Sequence, residues 1–268
     1  MSDKSAITAT SHPDQGNAGG RVDRRQYQPV STVEDFSHNL SVVNQRMQAA
    51  AVRAGRTTTD IRLLAVSKTV PQDRLANAVA AGLTDLAENK VQEAQSKAEA
   101  FAEAGLPVRM TMIGHLQTNK AKNVAEFAHE FQALDSLKLA EALDRRLQNV
   151  GRSLDVLVQV NVSDEDTKFG LQTHEVPQFL AALPQFECLN VKGFMTLARN
   201  TTNENQVRQC FRDLKAVRDQ ARQDSPQGSN LSELSMGMSG DFEVAIEEGS
   251  TVVRVGQALF GSRALPLP

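Results

Sequence analysis

Aromatic residues are scarce in this chain of 268 residues. It contains no tryptophan and a single tyrosine, Tyr27, and aromatic residues make up only 4% of the sequence. Proteins that bind single-stranded nucleic acid usually stack bases on aromatic side chains, so the shortage argues against that class. The 29 basic and 32 acidic residues leave a net charge of only −3, without the basic excess typical of a nucleic-acid-binding protein.

Cysteines and long apolar runs are also few. The two cysteines, Cys188 and Cys210, cannot form a disulfide framework or a four-thiolate zinc site. No run of about 18 apolar residues and no secretory segment occurs. The histidines lack metal-ligand spacing, and neither nucleotide-binding glycine motif follows a strand. We therefore expect a soluble, cytoplasmic protein with no metal, nucleic acid or membrane partner.

The chain divides into a short polar extension and one folded domain. Residues 1–30 mix polar and charged residues without apolar periodicity, which predicts a disordered extension. From Ser31 onwards, apolar residues recur at helical spacing and define an amphipathic helix that ends near Gly55. We place the folded domain at 31–268 and predict that deleting the extension leaves ligand binding intact.

Short apolar runs alternate with amphipathic helical segments along the rest of the chain. This alternation is typical of repeated βα units. An open doubly wound sheet would share the pattern, but eight strands without a separate second block favour a single (β/α)8 TIM barrel with one extra N-terminal helix. The eight predicted strands begin at Ile61, Leu83, Val108, Phe131, Asp155, Asn190, Leu231 and Thr251.

Lys68 closes the first predicted strand, in the segment LLAVSKTVP. Active sites of such barrels lie at the C-terminal ends of the strands, so this lysine would point into the barrel mouth. Partial burial there would lower the pKa of its amine and let it form an imine with an aldehyde. A solvated loop lysine remains the alternative.

Two glycine- and serine-containing loops follow the seventh and eighth predicted strands. The first, in LSMGMSGDFEVA, contains Ser235 and Ser239, and the second continues from Arg254 through Gly256 and Gln257. Small residues let backbone amides approach an anion, and these two loops often hold a phosphate in TIM barrels. Either stretch alone would suit an ordinary turn, but the pair predicts a phosphate cup.

Other polar residues end strands at the same mouth. Asn89 follows the second strand and would orient a ligand, whereas His115 follows the third and suits a hydrogen-bonded loop histidine better than an acid or base. Arg254 would either bridge carboxylates or face a ligand acceptor near the lysine.

Six ordered motifs resemble the pyridoxal phosphate homeostasis protein family, whose fold is similar to the N-terminal domain of alanine racemase. The resemblance extends from Ser31 to Gly261, in LLAVSKTVP, ENKVQEA, IGHLQTNKAKNV, VLVQVNVSDEDTKFG, KGFMTLA and LSMGMSGDFEVAIEEGSTVVRVGQALFG. It implies that pyridoxal 5′-phosphate is bound covalently to Lys68 as an internal aldimine.

The resemblance also implies roles for other residues. Arg254 would lie opposite the pyridine nitrogen, and the remaining residues would contact the phosphate (Ser235, Ser239, Gly256, Gln257) or the ring and pocket mouth (Asn89, His115, Met195). Two positions depart from the family pattern: Lys90 replaces a common tyrosine, and Gln257 replaces a common threonine or serine. If a hydroxyl at this position contacts the phosphate, Gln257 weakens that contact, whereas a backbone contact would survive.

The resemblance implies a cofactor carrier that takes part in vitamin B6 homeostasis and supplies apoenzymes, without catalytic turnover. A low-activity racemase is the alternative, but racemases use a tyrosine from a second domain or subunit, and here Tyr27 lies in the predicted extension. A cofactor-free aldolase that uses Lys68 is a third hypothesis. We expect a monomer, because no large apolar surface is apparent in the sequence.

Overall fold

Eight parallel strands close into a barrel in the computed structural model, which describes residues 30–163, 165, 169–224 and 230–261. The strands follow chain order around the barrel, and β8 pairs with β1. They are β1 Arg62–Val66, β2 Asp85–Glu88, β3 Arg109–Met112, β4 Glu130–Leu134, β5 Leu154–Gln159, β6 Leu189–Met195, β7 Glu233–Met238 and β8 Val252–Val255.

Helices cover the outside of this barrel. They are α1 Val33–Arg53, α2 Gln72–Ala80, α3 Val91–Glu103, α4 Ala121–Phe127, α5 Leu137–Val150, α6 Val176–Ala182, α7 Glu204–Asp224, α8 Phe242–Glu247 and α9 Gln257–Phe260. The predicted (β/α)8 barrel with an extra N-terminal helix is therefore confirmed. Of the predicted extension at 1–30, only Val30 lies among the described residues, and its side chain is buried.

Local sequence signals explain where helices begin and end. The Ser136 side chain accepts a hydrogen bond from the Leu139 amide and caps α5, as its position in the sequence predicts. Gly151 ends the same helix with a φ of 62°, a left-handed conformation that glycine adopts without strain. Pro184 interrupts the next helical segment, so α6 is short and continues as a 3₁₀ turn at Leu183–Gln185.

The two-residue period of the strands separates two apolar regions. The inside of the barrel holds a small cluster of Leu64, Val66, Ala87 and Val252. The main core lies between the strands and the helices and contains five fully buried phenylalanines: Phe36, Phe131, Phe194, Phe211 and Phe242. Side chains that alternate with the inner cluster therefore face the helices, and those in phase with it face the barrel axis.

Ion pairs fasten the extra helix α1 to α8, the short helix that follows β7. Arg46 donates to Glu243 at 2.6 Å, and Arg53 donates to Glu247 at 2.7 Å. The Arg46 guanidinium also lies 4.8 Å from the centre of the Phe242 ring. Since α8 directly follows the β7 loop, α1 holds the backbone of that loop in place from the outside. No helix in the described ranges is long and apolar enough to span a membrane.

Candidate active site at the barrel mouth

Lys68 lies two residues beyond β1, at the C-terminal end of the barrel. Leu64 and Val66 belong to the inner cluster, so the two-residue period directs Lys68 toward the barrel axis at the mouth. The lysine is half-buried. The structure therefore places Lys68 just beyond the C-terminal end of β1, and its role in binding stays a prediction.

A charged network lies behind this lysine, on the helix side of the strands. The buried Lys97 ammonium donates to the Glu88 carboxylate at 2.6 Å, to Glu93 at 2.7 Å and to the Ser67 carbonyl at 2.9 Å. The Ser67 hydroxyl donates to the same oxygen of Glu88 at 2.6 Å. Burial raises the pKa of Glu88, an effect that the hydrogen bonds from Lys97 and Ser67 oppose. These contacts fix the backbone on the N-terminal side of Lys68.

Thr69, the residue after Lys68, has a strained backbone. Its φ of 64° is left-handed, and among the described residues it is the only non-glycine residue with a positive φ. A β-branched residue in this conformation costs about 1–2 kcal/mol. The Thr69 amide donates to Glu93 at 2.7 Å, so the carboxylate that accepts from Lys97 also holds the strained turn. We call Ser67, Thr69, Glu88, Glu93 and Lys97 the outer network.

Asn89 directly follows β2, beside this lysine loop, and a close backbone contact fixes it. A Cβ added to Gly114 would lie 2.2 Å from the Asn89 carbonyl oxygen and 2.8 Å from its Cα. Only a glycine at position 114 lets the loops after β2 and β3 approach this closely. The next residue, His115, is thereby brought to the mouth beside Asn89.

His115 lies between a carboxylate and an aromatic ring. Its Nδ1 is 3.6 Å from Asp135, and its ring stacks on Phe169 with centroids 3.9 Å apart. Burial raises the pKa of Asp135, and the neighbouring His115 opposes that rise. His115 thus contacts residues of the loops after β4 and β5, and its role at the site stays a prediction.

A continuous row of polar side chains occupies the barrel interior. The Arg254 guanidinium donates to the Ser235 hydroxyl at 2.7 Å, and that hydroxyl donates to the Gln132 amide oxygen at 2.6 Å. The Gln132 amide nitrogen donates to the Glu130 carboxylate, which also accepts from Arg62 at 2.7 Å. We call these five residues the inner chain. It extends from the mouth to the opposite end of the barrel.

Arg254 is the buried cation at the mouth end of the inner chain. It donates a second hydrogen bond to the Thr196 carbonyl at 2.7 Å, so both of these acceptors are neutral. Complete burial lowers the pKa of Arg254 to about 10, and the charge of Asp241 opposes that shift. The guanidinium therefore stays protonated at neutral pH. Of the two sequence interpretations, a bridge between carboxylates does not fit these contacts.

Ser235 and Met195 lie beside Arg254 on neighbouring strands. They pair across β6 and β7, and both side chains are buried. The Ser235 hydroxyl both accepts from Arg254 and donates to Gln132. Its contact with a phosphate, which the resemblance implies, stays a prediction, as does a ring contact of Met195.

Ser239 joins the two loops that the sequence predicts as a phosphate cup. Its hydroxyl oxygen accepts from the Gly256 amide at 3.2 Å and from the Ala258 amide at 3.4 Å. A Cβ on Gly256 would lie 3.1 Å from the Val66 carbonyl, so this loop also packs closely against the end of β1. Gln257 begins α9 in the same loop. The loops after β7, β8 and β1 therefore meet at one place.

Comparison with known proteins identifies the family. The family described as "Alanine racemase, N-terminal domain" matches residues 33–264. The pyridoxal phosphate homeostasis protein of Pasteurella multocida is 37% identical over 228 residues, which cover 85% of this chain and 97% of that protein. The corresponding protein of Aquifex aeolicus is 39% identical over 224 residues, or 84% of this chain and 96% of that one. This chain belongs to the pyridoxal phosphate homeostasis protein family.

Solved structures agree with this family membership. PipY of Synechococcus elongatus, described as having pyridoxal phosphate bound, matches with a TM-score of 0.75 and 30% identity over 84% of this chain and all of that one. Alanine racemase of Corynebacterium glutamicum matches with a TM-score of 0.62 at 14% identity, over 88% of this chain but 63% of that one. The racemase likeness shows a shared barrel fold alone.

Sequence reasoning missed several residues that support the site. Lys97 and Glu93 are four residues apart on α3, a spacing that is usual for exposed ion pairs. The signal that could have revealed Lys97 is its position on the apolar face of α3, in phase with Val91, Ala94 and Phe101. Gln132 and Glu130 alternate with apolar residues in β4, so they share one face of the strand. The sequence alone does not show that this face points into the barrel.

Proposed function

We propose that this chain binds pyridoxal 5′-phosphate through an imine between Lys68 and the aldehyde of the cofactor, and holds it for supply to other proteins. The proposal is supported by three features at the C-terminal end of the barrel: the half-buried Lys68 after β1, the buried Arg254 guanidinium and the loops joined by Ser239. The amine displaces the aldehyde oxygen as water when the imine forms.

The residues present fit the chemistry of this cofactor. Its phosphate needs hydrogen-bond donors, which small residues and amides at the ends of β7 and β8 can supply through Ser239, Gly256 and Gln257. Its pyridine nitrogen needs a fixed polar partner. Arg254, which lies at the same end of the barrel, would be that partner. Asn89, His115 and Met195 complete the proposed pocket around the ring. When bound, the cofactor supplies an electrophilic aldehyde and an electron-withdrawing ring.

The same residues favour holding the cofactor over turning over a substrate. Arg254 stays protonated at neutral pH because its pKa is about 10, and a guanidinium does not readily give up a proton to the ring nitrogen. The ring would then be a weaker electron sink. Across the mouth, the ring of His115 is stacked on Phe169, and its Nδ1 lies 3.6 Å from Asp135.

The test is titration of the purified protein with pyridoxal 5′-phosphate, followed by absorption of the imine. Lys68→Ala should abolish the imine band, and Lys68→Arg serves as a control that keeps the charge but lacks an amine able to condense. Both variants should retain weaker, non-covalent binding, with a Kd raised at least about tenfold, or about 1.4 kcal/mol. An imine band that persists in Lys68→Ala would overturn the proposal.

Carrier and racemase are separated by two measurements on the loaded protein. Incubation with L-alanine or L-serine, followed by chiral analysis, should yield no D-isomer, whereas an added apoenzyme that depends on the cofactor should gain activity. Accumulation of the D-isomer with multiple turnovers would instead establish the racemase.

A further inference from the structure

We propose that Gln132 is a positioning residue for Arg254, and that it acts by connecting Glu130 to Ser235 in the one orientation that the charged ends of the inner chain allow. This inference rests on the proposed function, because Arg254 is assigned there to the ring nitrogen of the cofactor. Gln132 itself lies deeper in the barrel, on β4, and is fully buried.

The chemistry of the two ends determines the orientation of the middle. A guanidinium can only donate and an ionised carboxylate can only accept. Glu130 must therefore face the amide nitrogen of Gln132, which turns the amide oxygen toward Ser235. The Ser235 hydroxyl accepts from Arg254 and has one proton, which it must donate to Gln132. No step of the chain can be reversed while both ends keep their charge.

This arrangement gives a buried cation a distant carboxylate partner. Ser235 and Thr196 offer Arg254 only neutral hydrogen-bond acceptors, and Asp241 acts on it through its charge alone. Hydrogen bonds in a row, however, polarise one another. The negative charge of Glu130 is therefore felt at Ser235 through Gln132. At its other end Glu130 is itself held by Arg62, so the acceptor cannot swing away.

Without the Gln132 amide, the Ser235 hydroxyl, which contacts Arg254, would no longer be held in one orientation. The Ser235 proton would lose its acceptor, the hydroxyl could rotate, and its hold on the guanidinium would weaken. Leaving one buried donor unsatisfied costs enough free energy to change an equilibrium by about tenfold. The loss should weaken the contact of Arg254 with the ring of the ligand. That contact is separate from the bond between Lys68 and the aldehyde.

The experiment uses 4′-deoxypyridoxine 5′-phosphate, which has the ring and phosphate of the cofactor but no aldehyde. Its Kd should rise about tenfold in Gln132→Leu. Thr111→Val is the matched control: Thr111 is also a buried polar residue of the barrel strands and takes no part in the hydrogen bonds of the inner chain. Its Kd should stay within about twofold of the parent value.

Two further variants separate a positioning role from general loosening of the barrel. Ser235→Ala breaks the inner chain one hydrogen bond closer to Arg254, so it should raise the Kd of the probe by about the same factor as Gln132→Leu. In the double variant, the Kd should rise little further. Exchange of the two β4 residues, Glu130→Gln with Gln132→Glu, keeps every donor facing an acceptor. The exchanged protein should bind the probe nearly as tightly as the parent.

Each outcome decides the inference. Equal Kd values for the parent and Gln132→Leu, fully additive effects of Gln132→Leu and Ser235→Ala, or loss of binding in the exchanged protein would overturn it. If Gln132→Leu does not fold, the other two variants test the inference. Weaker binding of the probe by Ser235→Ala and nearly unchanged binding by the exchanged protein would support it, and the opposite results would overturn it. Failure of the parent protein to bind either the cofactor or the probe would instead contradict the proposed function.

Discussion

The two sides of the barrel mouth are held by different kinds of interaction. Beside Lys68, the outer network concentrates a buried lysine, two carboxylates and a strained turn on the helix side of β1 and β2. Beside Arg254, the contacts are neutral: a hydroxyl, a carbonyl and, at the loops, the hydroxyl of Ser239. Two carboxylates act on that side from further away: Asp241, whose Oδ1 accepts from the Met238 amide at 2.6 Å and whose charge acts on Arg254, and Glu130, three hydrogen bonds away along the inner chain.

The difference indicates how one mouth would hold the amine and the phosphate of the proposed function at once. A charged support keeps the Lys68 loop in a backbone conformation that it would not adopt by itself. The carboxylates of that support point away from the barrel axis, so they do not neutralise the mouth. On β8, which pairs with β1, the hydrogen-bond acceptors of Arg254 are neutral, and the charge of Asp241 acts on the guanidinium without a direct hydrogen bond.

Lys97→Met should have the strongest effect on the lysine side. It leaves Glu88, whose side chain is fully buried, without its cationic partner, and breaking a buried ion pair costs about 3–5 kcal/mol. Urea unfolding should reveal this loss of stability. Lys192→Met, which removes a half-exposed lysine 3.6 Å from Asp155, is the control and should change stability by less than about 1 kcal/mol.

The stability lost in Lys97→Met should depend on pH. Burial already raises the folded-state pKa of Glu88 above 4.5, and losing Lys97 raises it further. An acid whose folded-state pKa is raised costs stability as pH increases from the unfolded value through the folded one. The loss of stability in Lys97→Met should therefore be larger at pH 8 than at pH 5. Adding Glu88→Gln to Lys97→Met should remove this pH dependence. A deficit that grows on acidification would contradict the outer network as described.

Ser239→Ala tests the neutral side in the same way. It removes the acceptor of the Gly256 and Ala258 amides, so we expect a loss of about 1–2 kcal/mol. No ionised partner is involved, and the loss should be the same at pH 5 and pH 8. A pH-dependent loss comparable to that of Lys97→Met would erase the distinction between the two sides.

Thr69→Gly should produce the smallest change, and in the opposite direction. Glycine relieves the left-handed strain of about 1–2 kcal/mol but loses about 0.5–1 kcal/mol through the entropy of the unfolded chain. The protein should gain about 0.5 kcal/mol in stability, measured by thermal unfolding. A clear loss of stability would show that the threonine side chain, and not the Glu93 contact of its amide, holds the turn.

The barrel and the position of its mouth residues follow from sequence pattern. Lys68 and Arg254 each end or lie in a predicted strand, and the TIM-barrel rule brings such residues to one face. The sequence pattern does not show which hydrogen-bond partner each buried polar side chain has. Ser235 and Gln132 are 103 residues apart, and their hydrogen bond exists only because β4 and β7 face each other across a closed barrel.

Lys97 was hidden for a different reason. A glutamate and a lysine four residues apart on a helix are usually solvated, and nothing in the spacing says that this pair is turned inward. The predicted phosphate contact of Ser235 also depends on tertiary contacts, since its hydroxyl already accepts from Arg254 and donates to Gln132. Local signals therefore locate the site, and packing decides which side chains support it.

The most direct test of the central claim is borohydride reduction of the protein loaded with pyridoxal 5′-phosphate, followed by peptide mapping. Reduction converts an imine into a stable amine bond and marks the lysine that carried it. We predict a single pyridoxyl group on Lys68. A pyridoxyl group on another lysine with Lys68 unmodified, or no adduct at all, would contradict the assignment of Lys68 as the cofactor-binding residue.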